Sequence, residues 1–133
     1  MVLEHVAILT ARLEILKDYY IRYFGGTPNQ KYANPKTGLE TYFITFGSGT
    51  KLEIMSLPEL TDNKNDMTLP YQGVVHLAFG LGTMSEVEEK ARQFEADGFR
   101  ILRGPRITGD GFYEFETVDP DGNKIEVTTK YIF

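Results

Sequence analysis

The chain has 133 residues, 41% hydrophobic and 25% charged, a length and composition typical of a single globular domain. The formal net charge of -5 makes nucleic acid an unexpected partner, because phosphate binding draws on clustered Lys and Arg. With no cysteine in the chain, disulfides, thiolate metal ligands and a cysteine nucleophile are excluded. Apolar runs fall far short of the roughly 20 residues that span a bilayer. The first residues also carry neither the basic nor the apolar region of a secretory signal, so we expect no membrane partner and a cytoplasmic location.

The first half of the chain predicts one strand, one helix and three shorter strands. Residues 2–9 are apolar-rich and β-prone, which predicts a strand. Leu13, Leu16, Tyr20 and Phe24 then fall on one face of a helix, which the glycines at 25–26 are expected to end. Strand-like runs follow near 29–32, 40–46 and 51–56, with a turn at 47–49 between the last two.

The second half predicts the same order of elements after a polar linker, residues 58–73. A strand is expected at 74–81, then a helix with Val87, Ala91 and Phe94 on one face. Ser85 and Glu88 have the spacing of a capping box, and Gly98 is expected to follow the helix end. Strands are predicted near 100–103, 111–117 and 124–129, and residues 104–111 are interpreted as a shaped loop.

The two halves are related by an internal repeat. The segment His5-Val6-Ala7 recurs as His76-Leu77-Ala78, 71 residues later, and Lys51-Leu52-Glu53-Ile54 recurs as Lys124-Ile125-Glu126-Val127, 73 residues later. Such a period is too long for a solenoid and indicates a duplicated module. We therefore predict an α+β fold of two tandem βαβββ modules, 1–57 and 74–133, within one domain.

The repeat also predicts a metal site. Its chemically active members are His5, Glu53, His76 and Glu126, the two Glu lying in strands, where Glu is depleted. Taken singly, each is more often a surface or satisfied core residue. Pseudo-symmetry would bring the equivalent positions together, and four N/O donors with two carboxylates suit Zn²⁺, Ni²⁺, Co²⁺, Mn²⁺ or Fe²⁺.

These residues carry a resemblance to a known family. The ordered set of two His and two Glu, with the turn and strand Asp119-Pro120-Asp121-Gly122-Asn123-Lys124-Ile125-Glu126, resembles the vicinal oxygen chelate superfamily over nearly the whole chain. The resemblance implies a curved mixed sheet around a central cleft, and a homodimer. Glu at position 53 makes the ligand pattern most similar to bacterial glyoxalase I. The pattern of the superfamily's thiol transferases and extradiol dioxygenases has three metal ligands. The similar residues in this chain would be His5, His76 and Glu126.

The resemblance implies a metal-dependent lyase or isomerase similar to lactoylglutathione lyase, acting on a small molecule. Glu126 or Glu53 would move the proton α to a carbonyl, and Arg106 and Arg12 would hold an anionic part of the substrate. Arg12 comes later in the chain than the arginine that binds glutathione in bacterial glyoxalase I, so the use of glutathione or another thiol co-substrate stays open. The alternatives are a drug-binding protein without catalysis, similar to bleomycin resistance proteins, and the two three-ligand enzyme classes.

Overall fold

The computed structural model describes residues 1–47 and 49–131, so Ser48, in the first predicted turn, lies outside the described residues. The chain divides into two compact units, Met1–Lys64 and Asn65–Phe133. Within the described residues, no helix has the length and apolar character needed to cross a membrane. Over its described residues, each unit contains one helix and one sheet, as the repeat predicts.

The sheet of the first unit has the strand order β1-β5-β4-β2, with β3 also on β4. Its elements are β1 (His5–Leu9), α1 (Leu13–Phe24), β2 (Thr27–Pro28), β3 (Tyr32–Ala33), β4 (Glu40–Thr45) and β5 (Lys51–Ser56). Strands β1 and β5 are parallel, and β4 pairs antiparallel with β2, β3 and β5. The strand predicted near 29–32 is instead two short pieces. The Asn29 side-chain oxygen accepts the Phe43 N–H at 2.8 Å, which interrupts the regular backbone ladder there.

The sheet of the second unit has the order β6-β9-β8-β7. Its elements are β6 (Leu77–Gly80), α2 (Met84–Ala96), β7 (Ile101–Ile107), β8 (Phe112–Val118) and β9 (Lys124–Lys130), with β6 parallel to β9. The loop interpretation of 104–111 is wrong for its first part, because β7 continues through 107. Of two register shifts in β7, the one between Arg103 and Arg106 accommodates Gly104 and Pro105, and an edge strand tolerates the missing proline N–H.

The helix ends follow the predicted chemistry with one correction. Gly25 (φ 66°) and Gly98 (φ 85°) are left-handed residues at the ends of α1 and α2. The capping box of α2, however, is Thr83 with Glu86, not Ser85 with Glu88. The Glu86 N–H donates to Thr83 Oγ1 at 3.2 Å, and that hydroxyl donates to Glu86 Oε2 at 2.9 Å.

Each sheet packs one face against the helix of its own unit. In the first unit, Leu16 and Tyr20 of α1 and Ile44 and Ile54 of the sheet are fully buried; in the second, Val87, Phe94 and Ile125 are. Because side chains alternate along a strand, the residues between these face away from the helix. We call these faces the first open face (His5, Ala7, Leu9, Phe43, Lys51, Glu53, Met55) and the second open face (Ala78, Gly80, Glu114, Glu116, Glu126, Thr128).

Both halves therefore repeat the predicted order of strand, helix and strands, and the α+β class with βαβββ modules is confirmed.

Candidate metal centre

The first unit brings His5 and Glu53 together on its open face. His5 begins β1, and the parallel pairing with β5 aligns Ala7 with Glu53. The distance from His5 Nε2 to Glu53 Oε1 is 3.8 Å, and the Glu53 side chain is only 15% exposed. One imidazole nitrogen and one carboxylate oxygen thus lie side by side on adjacent strands.

Glu4 and Phe43 contact the His5 ring. Its Nδ1 contacts Glu4 Oε2, and the other Glu4 oxygen forms an ion pair with Lys51 Nζ. The Phe43 ring lies edge-on to the imidazole, with centroids 5.3 Å apart and planes at 87°. Because Nδ1 is engaged by Glu4, it is Nε2 that faces Glu53.

The second unit contains an equivalent pair. His76 lies directly before β6, one residue outside the strand in which it was predicted, and Ala78 aligns with Glu126 of β9. The distance from His76 Nε2 to Glu126 Oε2 is 3.5 Å, and the Glu126 side chain is 14% exposed. The repeated sequence positions therefore produce repeated geometry, a histidine and a glutamate in each unit.

Glu126 lies among other carboxylates. Across the strand pair, Glu116 is opposite Glu126, and the buried Glu114 is the next residue of β8 on the same face. Burial raises the pKa of Glu126 to about 7, helped by a hydrogen bond with Glu114 and by the charges of Glu114, Glu116 and Asp110. Without a cation, this face therefore disfavours full ionisation.

Glu114 and Glu116 were missed in the sequence prediction. Their signal is the alternation of Phe112–Val118, in which Glu114 and Glu116 fall on the opposite face from Phe115 and Thr117. That pattern by itself indicates only a water-facing side of a strand. The register with β9 is what places both carboxyl groups next to Glu126.

The two arginines predicted to bind substrate lie in different units. Arg106 is half-buried on β7 and is aligned with Glu114 of β8, so it lies in a strand rather than in the expected loop. Arg12 is exposed at the N-cap of α1, and its N–H donates to Thr10 Oγ1 at 2.9 Å. Register places Arg106 beside the acidic second open face, whereas Arg12 follows the end of β1.

The donor atoms of each pair fit a divalent ion. Two ligand atoms at about 2.1 Å from a tetrahedral ion are roughly 3.4 Å apart, close to the 3.5 Å and 3.8 Å that separate nitrogen from oxygen in the pairs. Within residues 1–47 and 49–131, no group of three or more His, Cys, Asp or Glu side chains is arranged to hold a metal ion. Each pair alone supplies two ligands, and a closed site needs more.

The sequence matches the family model of the Glyoxalase/Bleomycin resistance protein/Dioxygenase superfamily over residues 2–127. The chain belongs to this superfamily. Its members among solved structures include the trypanothione-dependent glyoxalase I of Leishmania major, to which this chain is 23% identical. That match has a TM-score of 0.77 and covers 97% of this chain and 86% of the other.

Two further superfamily structures are similar over nearly their whole length. A glyoxalase family protein from Enterococcus faecalis is 22% identical, with a TM-score of 0.74 and coverage of 94% of each chain. A domain of the superfamily from Frankia is 15% identical, with a TM-score of 0.76 and coverage of 95% of this chain and 94% of the other. None of the curated proteins matches significantly. At these identities the likeness establishes the fold alone, since one fold serves many chemistries.

Proposed function

We propose that this protein is a metal-dependent lyase or isomerase of the glyoxalase type. The observation that carries the proposal is the pairing of histidine with glutamate at repeat-equivalent places in both units, at 3.8 Å and 3.5 Å. In both pairs the nitrogen and the carboxylate oxygen have a separation close to that of two ligands on one divalent ion. The proposed site unites His5, Glu53, His76 and Glu126 around one divalent ion.

The ligand set suits Zn²⁺, Ni²⁺, Co²⁺, Mn²⁺ or Fe²⁺, because two imidazoles and two carboxylates supply borderline donors and cancel the charge of the ion. The low exposure of Glu53 and Glu126 supports the same conclusion. Carboxylates that lie out of water need a cation or a proton to offset the cost of desolvation. Glu53 is the ligand that separates the glyoxalase pattern from the three-ligand pattern.

The chemistry proposed is proton transfer next to a carbonyl group. The bound ion would act as a Lewis acid toward a small substrate that binds it through two neighbouring oxygens. The carboxylate of Glu126 or Glu53 accepts the proton from the α carbon and returns it to the adjacent carbon. Arg106, half-buried beside the second open face, holds an anionic group of the substrate, and Arg12 is the second candidate for this role.

The assembly proposed is a homodimer in the cytoplasm. On β1, Leu9 is 50% exposed, and Val74 and Val75 before β6 are 79% and 37% exposed. A second copy covering these side chains would remove apolar surface from water. Light scattering at micromolar concentration is expected to give twice the chain mass, and a monomer would contradict the dimer.

The metal proposal is tested by purification without chelator, reconstitution with Ni²⁺ or Zn²⁺, and measurement of the metal bound per chain. Isomerisation of a hemithioacetal, assayed with glutathione and with another thiol, then tests the reaction and its co-substrate. Glu53→Gln is expected to weaken metal binding and lower the rate, whereas Glu95→Gln, an exposed position on α2, is the matched control.

Two results would contradict this proposal. Less than about 0.1 metal ion per chain after reconstitution would exclude a metal centre of useful affinity. Metal affinity that is unchanged in Glu53→Gln would remove Glu53 from the ligand set and favour the three-ligand thiol transferase or dioxygenase pattern.

A further inference from the structure

The acidic residue directly before the first histidine has a role that the repeat does not explain. Glu4 Oε2 contacts His5 Nδ1, while His5 Nε2 lies 3.8 Å from Glu53 Oε1. A neutral imidazole carries its proton on only one ring nitrogen, and an ionised carboxylate can only accept a hydrogen bond. A carboxylate at Nδ1 therefore places the proton there and leaves the Nε2 lone pair free.

We propose that Glu4 is a positioning residue that holds His5 in the Nδ1–H tautomer, with its Nε2 lone pair directed to the side of Glu53. The benefit for metal binding rests on the proposed function. The tautomer itself does not, since it follows from contacts of the metal-free chain. A hydrogen bond to the distal nitrogen of a ligating histidine fixes the ring orientation and increases ligand basicity.

Glu4 is itself held in place from β5. The Lys51 N–H donates to the Glu4 carbonyl at 3.0 Å, and Lys51 Nζ forms an ion pair with Glu4 Oε1. One residue earlier, Thr50 Oγ1 donates to the Leu3 carbonyl at 2.8 Å. The segment before β1 is therefore tied to the neighbouring strand by backbone and side-chain bonds, so Glu4 is not part of a frayed terminus.

Phe43 completes the support of the His5 ring. Its ring lies edge-on to the imidazole at 5.3 Å, and Lys51 Nζ lies 5.6 Å from the Phe43 centroid. Lys51 thus contacts both the carboxylate and the aromatic ring that flank His5, and it is directly opposite His5 in the β1–β5 register. Together these contacts restrict rotation of the imidazole as well as its tautomer.

The second half of the chain provides an internal comparison. The residue before His76, in the position of Glu4, is Val75, which has no polar side-chain atom. The two histidines occupy equivalent places beside their glutamates but differ in this neighbour. A measurement that resolves both imidazoles therefore reports the effect of Glu4 at His5 and has His76 as a reference within the same molecule.

The energetic expectation is a change in metal affinity without a large change in folding. The Glu4 side chain is 54% exposed and that of His5 41%, and exposed pairs contribute little to stability. Outer-sphere partners of ligating histidines, in contrast, change metal affinity by about 10–100-fold. Because this partner is exposed, we expect the lower end, about a 10-fold loss for Glu4→Ala.

The test is long-range ¹H–¹⁵N NMR of the imidazole nitrogens in the metal-free protein at a pH of about 8.5, well above the ordinary histidine pKa of ~6.5. Wild type is expected to show His5 protonated on Nδ1. Glu4→Ala should shift His5 toward the Nε2–H form and leave His76 unchanged. Glu4→Gln, whose carbonyl can still accept from Nδ1–H, should restore most of the wild-type pattern, and Val75→Ala should leave His5 unchanged.

Calorimetric titration with Zn²⁺ or Ni²⁺ supplies the second readout. An Nε2–H tautomer of His5 in wild type, or the same tautomer in wild type and Glu4→Ala, would overturn the proposal. A wild type that binds no metal would instead refute the proposed function, while the NMR result would still decide whether Glu4 positions His5. Equal metal affinity in wild type and Glu4→Ala, in a protein that binds metal, would overturn the benefit assigned to this contact.

Discussion

The buried carboxyl group of Glu126 makes the stability of the metal-free protein depend on pH. Burial, then the hydrogen bond with Glu114 and the nearby negative charges, raise its pKa from 4.5 to about 7. Each pKa unit corresponds to about 1.4 kcal/mol. The rise from 4.5 to about 7 corresponds to about 3.5 kcal/mol as an upper bound for ionising this group in the folded chain. Because the neighbouring carboxyl groups share the proton, we expect a cost on the order of 2–3 kcal/mol relative to the unfolded chain.

The raised pKa of Glu126 determines whether the protein becomes more or less stable as the pH rises. Because the folded pKa lies above the unfolded one, the neutral carboxyl contributes its full stability below a pH of about 4.5. That stability is lost as the pH rises to about 7, and above this the deficit is constant. Glu126→Gln stays neutral throughout, so its advantage over wild type should grow by about 2–3 kcal/mol between pH 4.5 and 8.

The assay is urea unfolding followed by far-UV circular dichroism, in chelator, over this pH range. Glu53→Gln is the matched control, because its neighbours in register are Ala7 and Phe43 rather than carboxylates. It should retain the decline seen in wild type. A stability difference between wild type and Glu126→Gln that stays constant with pH would refute the reasoning, as would an equal loss of the decline in both variants.

Other perturbations test the metal, the core and the backbone. Added Zn²⁺ should stabilise wild type more at pH 8 than at pH 5, because protons compete for the ligands; equal stabilisation in thermal melts would contradict this. Phe94→Ala, at a fully buried position of α2, should lower the free energy of unfolding in urea by about 3–5 kcal/mol. A loss below about 1 kcal/mol, closer to the cost at an exposed site, would contradict the burial of this ring. Thr83→Ala removes the cap of α2 and should cost about 1 kcal/mol, whereas Ser85→Ala should be close to neutral. Gly104→Ala combines a φ of +83° with a clash against the Glu114 carbonyl and should lower the melting temperature clearly; an unchanged melting temperature would exclude this strain.

Local patterns in the sequence were enough to predict most of the elements. The spacing of Leu13, Leu16 and Tyr20 predicts the buried face of α1, and all three are buried in the structure. The same holds for Val87 and Phe94 of α2. Helical periodicity is a property of neighbouring residues, so it can be recognised without knowledge of the rest of the chain.

The error in β7 occurs because a distant partner overrides a local signal. Gly104 and Pro105 are typical of a loop, but pairing of β7 with β8 keeps them within a strand through shifts of register. The spacing of Ser85 and Glu88 is also right for a capping box, but Glu88 accepts a hydrogen bond from the Tyr113 hydroxyl at 2.9 Å. The deciding contact is distant for β7, whereas the cap of α2 was a choice between two local pairs, of which Thr83 with Glu86 forms the hydrogen bonds.

In the candidate site, too, the sequence predicts the residues and the tertiary structure decides their contacts. By itself the sequence singled out His5, Glu53, His76 and Glu126, because duplication leaves a record in residue identity and spacing that needs no coordinates. Only the tertiary structure showed the distance within each pair, which carboxylates lie near Glu126, and that Glu4 contacts the His5 ring. The physical reason is register: hydrogen bonding between strands determines which side chains are neighbours, and a slip of one residue would move each of them to the opposite face of its sheet.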